Sequence, residues 1–152
     1  MMITMHLSGG NCMFLESDHK DLGAKPSIIN IRKDAICNHN FRTVLWTGEY
    51  LQLTVMSIPI GGEIGLEMHD DLDQFIKVES GCANVYMGCV KQDVKQVATI
   101  HSSYAVIVPA GTWHNIINIG AQPLKLYSIY APKNHPFGTV HPTKLDADIA
   151  GD

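Results

Sequence analysis

The chain has 152 residues and a formal charge of −4 at pH 7, with 45% hydrophobic and 17% charged residues. That length suits one globular domain, which buries roughly 68–70% of the surface its unfolded chain exposes. The composition is too apolar for disorder, and no run reaches the ~18 uncharged apolar residues of a spanning helix. Arg32 and Arg42 are the two arginines among 11 basic residues, which argues against a nucleic-acid or anionic-membrane surface and fits a small-molecule partner. Eight histidines against five glutamates are the excess to explain.

Along the chain, residues 1–26 show no sustained period and read as an N-terminal arm, with neither the basic n-region nor the continuous apolar stretch of a signal peptide. From residue 27 the period is two. Strand-like runs are expected at Ser27–Ile31, Arg42–Thr47, Leu51–Ile58, Ile64–His69, Phe75–Val78, Ala83–Met87, Val94–Ile100, Ala105–Val108, Asn115–Ile119 and Leu124–Tyr130, nearly all separated by turn residues. Short strands at this spacing make an all-β sandwich or barrel over 27–132. Residues 133–152 form the C-terminal tail, where Pro136 and Pro142, following Pro132, point to coil rather than helix or strand. Cys12, Cys37, Cys82 and Cys89 have no metal or redox spacing and are expected as free thiols in a reducing cytoplasm.

Chemistry concentrates in two segments. Glu67 and His69 lie two apart in a strand-like run, so they share a face with Cα atoms about 6.5–7 Å apart, close enough to converge on one cation through bonds of about 2.0–2.2 Å. The acidic turn Asp70-Asp71-Leu72-Asp73 follows; it lacks the ligand spacing of a calcium loop and reads as solvated. Gln74 then opens the next strand and can fold back beside the pair. Farther on, Pro109-Ala110-Gly111 makes a rigid corner that aims His114.

The spacing Gly61-x5-Glu67-x-His69-x4-Gln74-x6-Gly81, followed by Pro109-x-Gly111-x2-His114-x3-Asn118, resembles the two motifs of the cupin superfamily. Three positions depart from the family pattern: Glu67 replaces the usual first His, Gln74 the usual Glu, and Ser103 the glycine opening the second motif. The first two amount to a swap that keeps one carboxylate. The resemblance implies a double-stranded β-helix, a jelly-roll barrel with coil-like N- and C-terminal arms. It is strongest to compact single-domain cupins of the "mannose-6-phosphate isomerase-like" group, through Gly111-Thr112-Trp113-His114-Asn115 and the stretch from Lys125 to His141. It also implies a homodimer, for which exchange of the 1–30 arm between subunits is one expected form.

Glu67, His69, Gln74 and His114 thus form the expected metal set, an N/O donor group suited to Fe, Mn, Ni, Co or Zn. The expected activity is a divalent-metal-dependent isomerase or tautomerase on a small sugar-type or carbonyl substrate. An Fe(II) dioxygenase and a non-catalytic metal or small-molecule binder are the alternatives. Tyr127, Tyr130 and His101 are candidates for proton transfer. The two tyrosines fall on opposite faces of one strand, so at most one points inward. Arg42 and Lys77, as basic residues on strands, are expected to face solvent. His135 and His141 are expected to pack in coil. The low charge fraction suggests a barrel with little beyond the metal centre to steer an ionic ligand.

Overall fold

The structure is a computed structural model that describes residues 20–151. Its elements in chain order are α1 (Ile31–Cys37), β1 (Arg42–Thr47), β2 (Gln52–Ile58), β3 (Asp73–Ser80), β4 (Cys82–Gly88), β5 (Lys95–His101), β6 (Ala105–Val108), β7 (Trp113–Asn118), β8 (Leu124–Ala131), β9 (Val140–His141) and α2 (Lys144–Ala150). One sheet runs β6-β3-β8-β2-β1-β9 and the other β5-β4-β7. The strand pairs within both are antiparallel. The two sheets face each other as a double-stranded β-helix. Among the described residues, no helix is long and apolar enough to cross a membrane.

The alternation read from the sequence decides what lies between the sheets. Met56, Ile58, Ile76, Val78, Leu124 and Leu126 from the larger sheet meet Ala83, Val85, Ile100 and Ile116 from the smaller one. Each such aliphatic side chain stabilises the fold by roughly 1.5–3 kcal/mol through its burial. Because β2, β8 and β3 pair Thr54 with Ser128 and Ser128 with Ile76, and β8 pairs Tyr130 with Gln74, the same parity carries Thr54, Ser128, Tyr130 and Gln74 inward. Arg42 pairs with Met56 and is therefore inward as well. A register shift between Val44 and Trp46 then turns Trp46 to the outer face. There it joins Ala35, Leu45, Leu53, Val55 and Ile129 in a second cluster beneath α1. That cover explains why β1 and β2 are buried on both faces.

Four expectations are corrected. Ser27–Ile31 is not a strand: Asn30 caps α1 by accepting a hydrogen bond from the Lys33 amide (3.1 Å), and a capped turn outcompetes a short β-branched run. Ile64–His69 is not a continuous strand but two isolated bridges, Glu63 to Ile117 and Glu67 to His114. The tail is not coil: β9 pairs with β1, and α2 buries Ala147 in the core. Pro142 does not prevent this helix because it precedes the Thr143 N-cap, where the helix needs no proline amide. Cys37 is disulfide-bonded, whereas Cys82 and Cys89 are the free thiols expected.

Candidate metal centre

The bulge at Gly65 sets the geometry of the first motif. Glu67 follows Glu63 by four positions, while their partners His114 and Ile117 are three positions apart, so one extra residue is accommodated here. Gly65 takes φ +107°, and its amide donates to the Asn115 side chain (3.0 Å) instead of the ladder. In an unbroken strand, Ile64 and Glu67 would face opposite ways; the extra residue lets both face inward. The Glu67 and His114 backbones then exchange hydrogen bonds (3.0 and 2.9 Å), placing the two side chains opposite each other. The second corner is tied to the first. Gly111, at φ +80°, donates its amide to the His69 carbonyl (2.7 Å), and Ala110 donates to Asp73 (2.9 Å). Ser103 adopts φ +80°, the left-handed conformation that suits the glycine usual at that position.

Three ligand-capable atoms converge. Glu67 Oε1 lies 3.2 Å from His114 Nε2 and 3.6 Å from His69 Nε2. Ligand atoms of these three residues all fall within 4.8 Å of one another. His114 is 1% exposed, and its Nδ1 lies 3.0 Å from the Thr112 carbonyl. The tautomer protonated on Nδ1 donates to that carbonyl and leaves Nε2 for a metal. Burial alone would push the Glu67 carboxyl up, but the imidazoles of His114 and His69 outweigh it and hold the group at about 2, ionised. Glu67 Oε1 and His69 Nε2 are buried with no hydrogen-bond partner. Buried nitrogen and oxygen atoms converging in this way fit a cation. Bonds of about 2.0–2.2 Å place neighbouring ligand atoms about 2.8–3.6 Å apart, the range of the two Glu67 separations. The triad therefore passes a direct test of fit for a divalent metal.

Gln74 stands where the sequence placed it. Its Nε2 donates to Ser128 Oγ (2.8 Å), which turns Oε1 toward His114 Nε2 at 3.1 Å. Of the proton-transfer candidates, the structure brings only Tyr130 inward. It is 1% exposed and edge-on to His69, with ring centres 6.0 Å apart. Tyr127 lies on the outer face, stacked on Phe75, with the Lys77 ammonium 5.9 Å from its ring centre. Lys77 itself pairs with Glu79 (2.7 Å) outside the barrel. His101 is exposed at the end of β5 beside Tyr104.

Sequence reasoning missed three neighbours of the site. Arg42 was expected in solvent but is 2% exposed, because its register partner Met56 belongs to the core. His135 was expected in coil but is buried edge-on to Tyr130, with ring centres 5.0 Å apart. Ser128 offered no signal except its parity with Leu124 and Leu126.

With the geometry established, comparison with known proteins becomes informative. The model of the Cupin_2 family, the cupin domain, matches residues 54–130. The chain belongs to the cupin family. This cupin is 53% identical over 133 residues to YrkC of Bacillus subtilis, an alignment covering 88% of this chain and 72% of that protein. It is similar to the crystal structure of BH2720 from Bacillus halodurans, with a TM-score of 0.84 and 49% identity over 86% of this chain and 98% of that one. At 20% identity and TM-score 0.59, a Klebsiella pneumoniae protein with a double-stranded β-helix domain shares the fold, over 78% of this chain and all of that one.

Proposed function

We propose that this cupin is a divalent-metal-dependent isomerase or tautomerase acting on a small carbonyl or sugar-type substrate. The observation that carries the reading is the convergence of Glu67, His69 and His114, with the Tyr130 side chain on the same inward face. Glu67 Oε1, His69 Nε2 and His114 Nε2 would hold the ion, with Gln74 Oε1 as a weaker fourth donor. When bound, the ion supplies Lewis acidity that polarises substrate oxygens and acidifies the C–H between them.

The surrounding residues support proton movement. Burial pushes the Tyr130 hydroxyl up to about 12, against the pull of the nearby Arg42 guanidinium. It therefore stays protonated at neutral pH and can donate a hydrogen bond to an enolate oxygen, or return a proton to it. Gln74, tied to Ser128, braces His114, while the Thr112 carbonyl fixes its tautomer. An inward tyrosine and a buried guanidinium favour this reading over a passive binder, for which an apolar lining would suffice.

Two measurements test the proposal. Glu67→Ala should lose the bound metal, by elemental analysis, while keeping a wild-type far-UV spectrum; unchanged metal content overturns the ligand set. Metal-loaded wild type should exchange the α-hydrogens of small hydroxyketones with D2O, followed by NMR, and Tyr130→Phe should slow this by roughly 10²-fold or more. Oxygen uptake without hydrogen exchange would instead identify a dioxygenase, which the same two-histidine, one-carboxylate set suits.

A further inference from the structure

The Arg42 guanidinium is not accounted for by the fold. It is 2% exposed, yet its Nε and Nη1 have no hydrogen-bond partner. The Phe41 ring centre lies 5.5 Å from its Cζ, and the polar group beside it is the Tyr130 hydroxyl, to which it donates, leaving Nε and Nη1 unmet. Charged groups are almost never fully buried unless paired. A second donor on the same inward face is also unsatisfied. Thr54 lies on β2, two residues from Met56, the register partner of Arg42, and its buried hydroxyl has no partner either. Arg42 and Thr54 thus hold unmet donors, while Glu67 Oε1 and His69 Nε2 are buried ligand-capable atoms without a partner. Tyr130 touches both groups: its ring lies edge-on to His69 with centres 6.0 Å apart, and its hydroxyl meets Arg42. The first pair asks for an anion and the second for a cation.

We propose that Arg42, assisted by Thr54, is the receptor for a carboxylate on the substrate. The substrate class is then a short oxo- or hydroxy-carboxylic acid, whose carboxylate meets Arg42 while its oxo or hydroxyl oxygen faces the triad, with Tyr130 between them. This deepens the metal-dependent reading above and rests on it. A carboxylate fits better than a phosphate for two reasons. It is a planar monoanion that matches both the charge and the fork of one guanidinium. The other arginine, Arg32, and Lys77 are committed to Glu79 outside the barrel.

Calorimetry on the full-length, manganese-loaded protein tests this, with pyruvate and glycolate as probes, hydroxyacetone as a neutral counterpart, and inorganic phosphate as a control. Wild type should bind the acids at least tenfold more tightly than hydroxyacetone or phosphate. Arg42→Gln should lose at least tenfold for the acids and nothing for hydroxyacetone, and Thr54→Val should lose a few-fold for the acids. If Arg42→Gln does not fold, Arg42→Lys, which keeps the charge but not the fork, should still weaken the acids. Acids that bind wild type no better than hydroxyacetone, or that are insensitive to both Arg42 variants, overturn the proposal, as does phosphate binding equally well. The metal reading can fail separately. If the protein takes up no manganese but still binds the acids in an Arg42-dependent way, the carboxylate receptor stands and the metal centre falls.

Discussion

Tyr130 shows how one position inside the barrel acquires properties that its residue type lacks. An unfolded tyrosine ionises near pH 10, whereas burial holds the folded hydroxyl neutral to about 12. Between those values, the unfolded chain releases a proton that the native chain keeps. Stability is therefore fully present below pH 10 and falls as pH rises toward 12, by about 2–3 kcal/mol in all. Urea denaturation of wild type and Tyr130→Phe at pH 9 and pH 11.5 should show that this part of the alkaline loss is missing in the variant. Glu67 shifts the other way for a different reason. Burial opposes its charge, but two imidazoles outweigh burial, so the carboxylate is ionised wherever the protein is handled. The Glu67 and Gln74 swap thus keeps one carboxylate, with two imidazoles and one amide where the family pattern has three imidazoles. Type and spacing made these four residues legible in the sequence. Arg42 was not legible, because its environment depends on which face of β1 is covered.

At the scale of elements, the tail depends on a single side chain. Gln52 is fully buried; its Nε2 donates to Thr47 Oγ1 and to the His135 carbonyl (2.9 Å each), and its Oε1 accepts from the amides of Asn134 (3.1 Å) and His135 (2.9 Å). Asp21 extends the same knot, accepting from Thr47 Oγ1 (2.5 Å) and from the Gly138 amide (3.1 Å). Residues 134–138 are thereby fixed beside the start of β2, and His135 lies edge-on to Tyr130. Gln52→Ala strands three buried backbone groups and should cost roughly 2–4 kcal/mol. A lowered urea midpoint should accompany faster amide exchange at Asn134 and His135, with β3 and β8 still protected. The proline punctuation of the tail was visible in the sequence, but its partners lie some 80 or more residues away, which no local pattern encodes.

For the whole molecule, the centre and the core are separable. The apolar cluster between the sheets draws side chains from every strand from β2 to β8, so the barrel is expected to fold without an ion. A metal that binds only the native state adds about 2.7 kcal/mol at a hundredfold excess over Kd. Chelation should therefore lower Tm by about 5–10 °C without loss of the far-UV signal, as read by circular dichroism with and without chelator. A chain that unfolded outright on chelation would mean that the ion is part of the core. Most of the strand rhythm, the two motifs and the three side chains that converge were readable in advance, because side-chain period and turn chemistry are local properties of the chain. What lay beyond reading was where the pattern breaks. The bulge at Gly65, the shift after Val44 and the closing of β9 onto β1 exist only once distant strands have set a register. The sequence by itself determined the β architecture and the donor atoms of the centre. Only the tertiary structure decided that Tyr130 rather than Tyr127 faces inward with those donors, and that Arg42 is buried on the same face, because inward and outward are defined by what packs on each face of a strand.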